Sequence, residues 1–315
     1  MLKNRKITVV GAGNVGATAA NILAEKEVAS TVVLLDVVKG LAEGKSLDIM
    51  QMAPLALFDT RTIGVTDDYS ATADSSIVII TSGLARKPGM NREDLLEANA
   101  HIVKNVTENI MKYSPNAILI VVSNPLDAMT YVAWKVAGIP SSRVMGMAGL
   151  LDTARYRAFL AEELNCSVKD IQAVILGGHG DDMVPLMNYT TLSGVPIRQL
   201  LPDEKINEII NRTRKGGGEL VNLMGKSAWY APGYAAARMV EAIAKNQRRY
   251  FPCSAYLEGQ YGQNNIYFGV PVKLGKKGIE HILEIKLDKD EKALVEISAN
   301  SVRENINYLE KLKLW

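Results

Sequence analysis

Three polar segments stand out against apolar surroundings in this 315-residue chain, and together they hold groups that can move a proton and grip an anion. In Gly177-Gly178-His179-Gly180-Asp181, glycines on both sides let the backbone crowd a ligand and leave the imidazole open. His179 is therefore suited to carry a proton near neutral pH. In Leu151-Asp152-Thr153-Ala154-Arg155, Asp152 and Arg155 are spaced to share one helix face. As an ion pair alone they contribute only about 0.3 kcal/mol. As working groups, Asp152 can orient and charge-stabilise His179 while Arg155 grips a carboxylate with its planar donor pair. The third segment, Ala85-Arg86-Lys87-Pro88-Gly89-Met90-Asn91-Arg92, is a loop marked by Pro88-Gly89 and flanked by Arg86 and Arg92. It is either a plain basic surface loop or a lid that brings cations over a dianionic ligand. A proton carrier, a carboxylate anchor and a carbonyl polariser are what hydride transfer at a small 2-hydroxy acid requires. The other histidines fit less well, His101 lying on the polar side of a predicted helix and His281 in a strand-like stretch.

A hydride needs a carrier, and the chain opens with one. Gly11-Ala12-Gly13-Asn14-Val15-Gly16 follows the apolar run Ile7 to Val10 directly and starts a helix-like stretch, the context in which Gly-x-Gly-x-x-Gly signals a dinucleotide site. Gly11 makes the tight turn, Gly13 lets the backbone approach a pyrophosphate, and Gly16 lets helix and sheet pack closely. The helix N-terminus offers free N–H groups to the anion. Asp36, at the end of the second predicted strand, can accept hydrogen bonds from both adenosine ribose hydroxyls and would repel a 2′-phosphate, so NAD is expected over NADP. Lys39 nearby can soften that discrimination.

The elements that must position these groups are legible as rhythm. Buried-strand runs recur at 7–10, 31–35, 61–65, 77–81, 117–122 and 143–147, separated mostly by helix-like stretches at 15–25, 41–52, 92–113 and 126–137. That alternation predicts a doubly wound parallel sheet of the Rossmann type over residues 1–146. The basic loop then follows the fourth strand, at the carboxyl end of the sheet where such folds bind ligands. From 147 to 315 the pattern changes to α+β: a helix at 152–164, short alternating segments at 171–197, a long helix at 217–245, and an amphipathic terminal helix. Its apolar stripe is expected at Leu294, Ile297, Val302, Ile306, Leu309 and Leu312. The overall class is thus α/β, a Rossmann domain followed by an α+β substrate domain.

Composition narrows the function class. A formal net charge of +2 gives no general pull toward nucleic acid or membrane. Cys166 and Cys253 have no Cys-x-x-Cys partner or histidine at metal-ligand spacing, which argues against a zinc site or disulfide framework. No metal is expected. The N-terminal apolar stretch is broken by glycines at once, so it reads as neither signal peptide nor span, and a cytoplasmic setting is expected.

In order along the chain, GAGNVG, Asp36, ARKPGMNR, VSNPLD, LDTAR and GGHGD resemble the lactate/malate dehydrogenase family over essentially the whole length, and most closely its bacterial, lactate-dehydrogenase-like branch. The resemblance implies that His179 donates and accepts the proton with Asp152 as partner, that Arg155 anchors the substrate carboxylate, and that Arg92 polarises the reacting carbonyl. It implies that Asn124 contacts substrate and nicotinamide, that Asn99 lies along the cofactor, and that Val122 and Ser123 join residues 11–16 and Asp36 in binding NAD. The expected order is that NADH binds first along the glycine turn, oxaloacetate enters among Arg86, Arg92 and Arg155, and the loop closes to exclude water.

Within the family the choice between substrates falls on Arg86, where lactate enzymes carry glutamine. A second carboxylate pairs with this cation; a methyl group leaves it desolvated, at a cost of roughly 2 to 5 kcal/mol, or about 30-fold to 3000-fold in preference. Ala228 and Pro232 also fit the malate type. The expected activity is reversible hydride transfer between malate and oxaloacetate, as in the tricarboxylic acid cycle, by a homodimer or homotetramer built partly on the helix at 41–52. A lactate-specific enzyme and a non-catalytic NAD sensor are the alternatives, separated by NADH oxidation with oxaloacetate or pyruvate.

Overall fold

A computed structural model describes residues 5–84 and 92–315, without the side chain of Arg92. The first half runs β1 (Lys6–Val10), α1 (Asn14–Glu25), β2 (Thr31–Asp36), α2 (Leu41–Ala56), β3 (Arg61–Thr66), β4 (Ile77–Ile80), α3 (Arg92–Tyr113), β5 (Ile118–Val121), α4 (Leu126–Ala137) and β6 (Val144–Gly146). The second runs α5 (Gly149–Glu163), β7 (Ile171–Gln172), β8 (Ile175–Leu176), β9 (Val184–Pro185), β10 (Thr191–Leu192), β11 (Val195–Pro196), α6 (Asp203–Met224), α7 (Tyr230–Ala244), β12 (Arg249–Glu258), β13 (Asn264–Gly275), β14 (Gly278–Ile282) and α8 (Lys289–Lys311).

One sheet spans both halves in the order β14-β13-β12-β6-β5-β4-β1-β2-β3. Its first six strands in sequence are parallel. Every residue of β4 and β5 is buried, as apolar runs covered by helices on both faces must be. Strand order reverses between β1 and β4, and the crevice outside their carboxyl ends is where this architecture places a ligand. Beyond β6 the direction changes: β12 joins antiparallel, with Ser254 opposite Gly146, and β13 and β14 follow as a meander. Two small antiparallel sheets, β11-β10-β7 and β8-β9, account for the short alternating segments.

Three expectations change in detail. β3 closes an edge and is only partly buried, with Arg61 exposed, so it is not covered on both faces like β4. The long helix expected at 217–245 is two helices, because Gly225 at φ +67 caps α6 by donating to Val221 O, and α7 restarts at Tyr230. Its first helix also begins earlier, at Asp203. On α8 the buried stripe is Val295, Ala299, Val302, Ile306 and Leu309, whereas Leu294 and Ile297 face outward. The helical period was right and its phase was one residue off at the start.

Candidate active site

The three glycines of the first turn have different work. Gly11 sits at φ +106, and a Cβ there would lie 2.5 Å from Thr81 Oγ1. A Cβ at Gly16 would lie 1.9 Å from Gly11 O, so α1 can start against the turn only because neither residue carries a side chain. At Gly13 a Cβ would meet no atom within 4 Å, so the space above the turn is open. Asp36 is held facing it: Oδ2 accepts the Ala12 N–H at 2.6 Å and Oδ1 the Val38 N–H at 2.9 Å. An open glycine turn at a helix N-terminus beside a fixed carboxylate suits a pyrophosphate and a ribose diol. Asn14 and Val15 form the first turn of α1. Lys45 of α2, which sequence reasoning passed over, donates to Ala12 O at 2.7 Å and braces the turn from outside.

The ends of β4 and β5 are cross-tied. The Val122 N–H donates to Ile80 O at 2.8 Å, and the Ser123 hydroxyl donates to the Ser82 carbonyl. Asn99 of α3 is 1% exposed and spends its amide on protein. It accepts the Leu84 N–H at 2.7 Å and donates to Leu84 O at 3.2 Å and to Asn124 O at 2.7 Å. Asn99 thus sets the position of Asn124, whose residue is exposed. Arg86 and the side chain of Arg92 lie outside the described residues.

His179 follows β8, on a loop pinned at several points. Gly177 pairs with Gly269 of β13 through N···O distances of 3.0 and 3.1 Å, and a Cβ on Gly269 would meet Gly177 O at 2.3 Å. The Gly178 N–H donates to Ser298 Oγ of α8 at 2.9 Å. The His179 N–H donates to Asp127 Oδ2 at 2.8 Å. The imidazole, 22% exposed, places Nδ1 2.9 Å from Oδ2 of buried Asp152. Nε2 is left as the ring nitrogen for a ligand. Burial pulls the imidazole pKa down, but the charge and hydrogen bond of Asp152 and then the charge of Asp127 outweigh it, against Arg155, so it stands above the ordinary histidine value.

Arg155 is 12% exposed, with Nη1 3.6 Å from Asp152 Oδ1, beyond hydrogen-bond reach. Asp152 Oδ1 is buried without a hydrogen-bond partner among the described residues. The two form an ion pair without a hydrogen bond, so the guanidinium keeps its N–H donors for another anion. Its stem lies against Gly216 of α6, where a Cβ would come within 2.4 Å of Arg155 Cδ. Ala228 lies between α6 and α7, and Pro232 is buried in the first turn of α7, which packs on α1. His101 is exposed on α3 and His281 exposed on β14, both away from this cluster.

Asp127, Ser254 and Ser298 were missed from the sequence. A signal existed for the first: an acid in the opening turn of α4, a helix otherwise almost wholly apolar.

Two family models match the chain: "lactate/malate dehydrogenase, NAD binding domain" over residues 5–146 and "lactate/malate dehydrogenase, alpha/beta C-terminal domain" over residues 150–313. The malate dehydrogenase of Cytophaga hutchinsonii is 60% identical over 307 residues, covering 98% of each chain. The solved malate dehydrogenase of Salinibacter ruber superposes with a TM-score of 0.94 at 52% identity, covering 98% of each chain. A Cryptosporidium parvum lactate dehydrogenase, solved with lactic acid and nicotinamide adenine dinucleotide, also reaches 0.94, at 39% identity over 98% of this chain and 99% of its own. Backbone shape thus does not separate the two substrates, although identity leans to one side. The glycine turn with Asp36, the His179–Asp152 contact beside Arg155, and both family models over nearly the whole length agree: the chain belongs to the lactate/malate dehydrogenase family.

Proposed function

We infer that this chain is an NAD-dependent malate dehydrogenase. The single observation that carries the chemistry is the 2.9 Å contact between His179 Nδ1 and buried Asp152, with the guanidinium of Arg155 on the same helix left free to take an anion. NAD, when bound, supplies or accepts the hydride at the substrate C2. The Gly11–Gly16 turn receives the pyrophosphate, Asp36 the adenosine ribose, and the 122–124 segment the nicotinamide end, with Asn99 supporting Asn124. Arg155 holds the C1 carboxylate of oxaloacetate through two parallel donors. Protonated His179 gives its proton from Nε2 to the developing alkoxide, while Asp152 stabilises the imidazolium and fixes the Nδ1–H tautomer. Arg92 polarises the carbonyl and Arg86 meets the second carboxylate; both assignments rest on the family resemblance. Malate oxidation runs the same steps backward, with neutral His179 as base.

The functional division falls at residues 146 and 147, supported by the change from parallel to antiparallel strands after β6. A homodimer or homotetramer is supported by exposed Leu55 of α2, which lines a groove with exposed Tyr230 and Tyr234 of α7, and by Leu47 and Met50, also exposed on α2. Among the described residues no helix is long and apolar enough to cross a membrane; a cytoplasmic setting is supported by two free cysteines and is checked by cell fractionation. Following NADH absorbance with oxaloacetate and then pyruvate tests the activity: rapid oxidation with the first and slow oxidation with the second is expected. His179→Asn is expected to lower kcat by about 10² to 10⁴-fold with NADH binding intact; turnover near that of the parent would remove the acid–base assignment.

A further inference from the structure

Behind the His179 loop lies a second buried carboxylate that the reaction as described does not use. Asp127 is 6% exposed and sits in the first turn of α4, directly after the Asn124–Pro125 segment. Two donors point at it. Ser254 Oγ–H of β12 donates to Oδ1 at 2.6 Å, and the backbone N–H of His179 donates to Oδ2 at 2.8 Å. The His179 N–H requires an acceptor at Oδ2, and an ionised carboxylate accepts from both groups at once. Among the described residues no lysine or arginine pairs with it. Its charge is offset instead by the α4 N-terminus, by the two hydrogen bonds and by the imidazole.

We propose that Asp127 is a positioning residue acting through His179: a buried anion that fixes the histidine loop by its backbone and adds negative potential behind the ring. It ties three elements together at one point, namely the β8–β9 loop, the start of α4 and the strand β12. Because residues 124 and 127 are joined by a single turn, the same anchor sets the distance between His179 and the segment proposed for the nicotinamide. The inference rests on His179 being the acid–base group.

Other charged groups face the ring as well. Asp152 touches Nδ1, Arg155 opposes it electrostatically, and Asp181 and Asp182 line the adjoining cavity of about 210 Å³ together with Asp127. Ser301 of α8 donates to Asp182 Oδ2 at 2.7 Å. Burial pushes the Asp127 carboxyl above the usual aspartate range, opposed by its bonds to Ser254 and His179, and its own charge favours protonated His179. Removing one of the two carboxylates that favour the imidazolium must therefore make His179 easier to deprotonate.

Asp127→Asn separates charge from shape, because the amide oxygen can accept the His179 N–H while its nitrogen donates to Ser254 Oγ. In the full-length enzyme, the pH profile of kcat/KM for oxaloacetate is expected to fall off on the order of 0.5 to 1 pH unit lower than in the parent. Malate oxidation is expected to rise correspondingly earlier, with NADH binding unchanged. Ser254→Ala, which removes one of the bonds that oppose protonation of the carboxyl, is expected to shift the profile in the same direction and by no more than Asp127→Asn. Superimposable profiles for Asp127→Asn and the parent overturn the proposal. If Asp127→Asn does not fold, carbon-13 carboxyl NMR of the parent enzyme decides, since an Asp127 protonated at pH 7 overturns it. Parent-like turnover of His179→Asn would instead sink the acid–base reading on which this inference rests, an outcome distinct from superimposable profiles of Asp127→Asn and the parent.

Discussion

His179 Nδ1 and Asp152 Oδ2 stand 2.9 Å apart, while the other Asp152 oxygen is buried with Arg155 Nη1 at 3.6 Å and no hydrogen bond. The carboxylate is thus committed to the imidazole and only loosely to the arginine. Burial alone would discharge the ring, and Asp152 followed by Asp127 outweighs this, so His179 holds its proton above the ordinary histidine pKa. Asp152→Asn is expected to lower kcat by about 10² to 10⁴-fold and to move the pH limb for oxaloacetate reduction downward. The same shift has a stability sign. With the folded pKa raised, the stabilisation is fully present below the unfolded value and disappears as pH rises through the folded one. Denaturant titrations of the free enzyme across that window should show stability falling with pH, and the slope should flatten in Asp152→Asn.

On the proposed reading, substrate choice turns on Arg86. If Arg86 meets the second carboxylate of oxaloacetate, replacing it with glutamine removes that charge and spares bound pyruvate a cation without a partner. The ratio of kcat/KM for oxaloacetate over pyruvate is expected to fall by about 30-fold to 3000-fold. An unchanged ratio would place the selector elsewhere.

The parallel half and its glycine turn were legible because each strand is a short apolar run and each turn residue has a steric job, as Gly11 and Gly16 do against Thr81 and each other. His179, Asp152 and Arg155 were legible because polar groups in unusual company draw notice. Asp127 was not, since nothing local says that Ser254, far along the chain on β12, and the His179 backbone converge on it. The break of the long helix at Gly225 was missed for a related reason: a glycine within an apolar periodic stretch reads as tolerated until its φ of +67 is seen. Antiparallel extension of the sheet by β12 to β14 likewise depends on pairing between distant segments.

Asp36 grips the Ala12 N–H at 2.6 Å and the Val38 N–H at 2.9 Å, so its carboxylate has little freedom to turn away from a 2′-phosphate. Asp36→Ser is expected to lower kcat/KM for NAD by about 10- to 100-fold, the range of one or two lost charge-assisted hydrogen bonds, and to raise that for NADP. Steady-state kinetics with each dinucleotide at fixed malate check both halves. A variant still blind to NADP would mean that the discrimination lies in the surrounding shape and not in the charge.

Three successive glycines in α6 provide an internal control for the role of Arg155. Glycine inside a helix costs about 0.5 to 1 kcal/mol relative to alanine, so Gly217→Ala and Gly218→Ala, where a Cβ meets nothing within 4 Å, are each expected to stabilise the fold by that amount. Neither should alter substrate kinetics. Gly216→Ala gains the same helix term but sets a methyl group 2.4 Å from Arg155 Cδ and 2.7 Å from its Nε, so the guanidinium must move. A displacement of that size is expected to reduce kcat/KM for oxaloacetate by about 10- to 100-fold, mainly through KM, while NADH binding holds. Thermal denaturation and steady-state kinetics on the three variants separate the effects. If Gly216→Ala behaved like its two neighbours, the close approach of α6 would have no part in aiming Arg155.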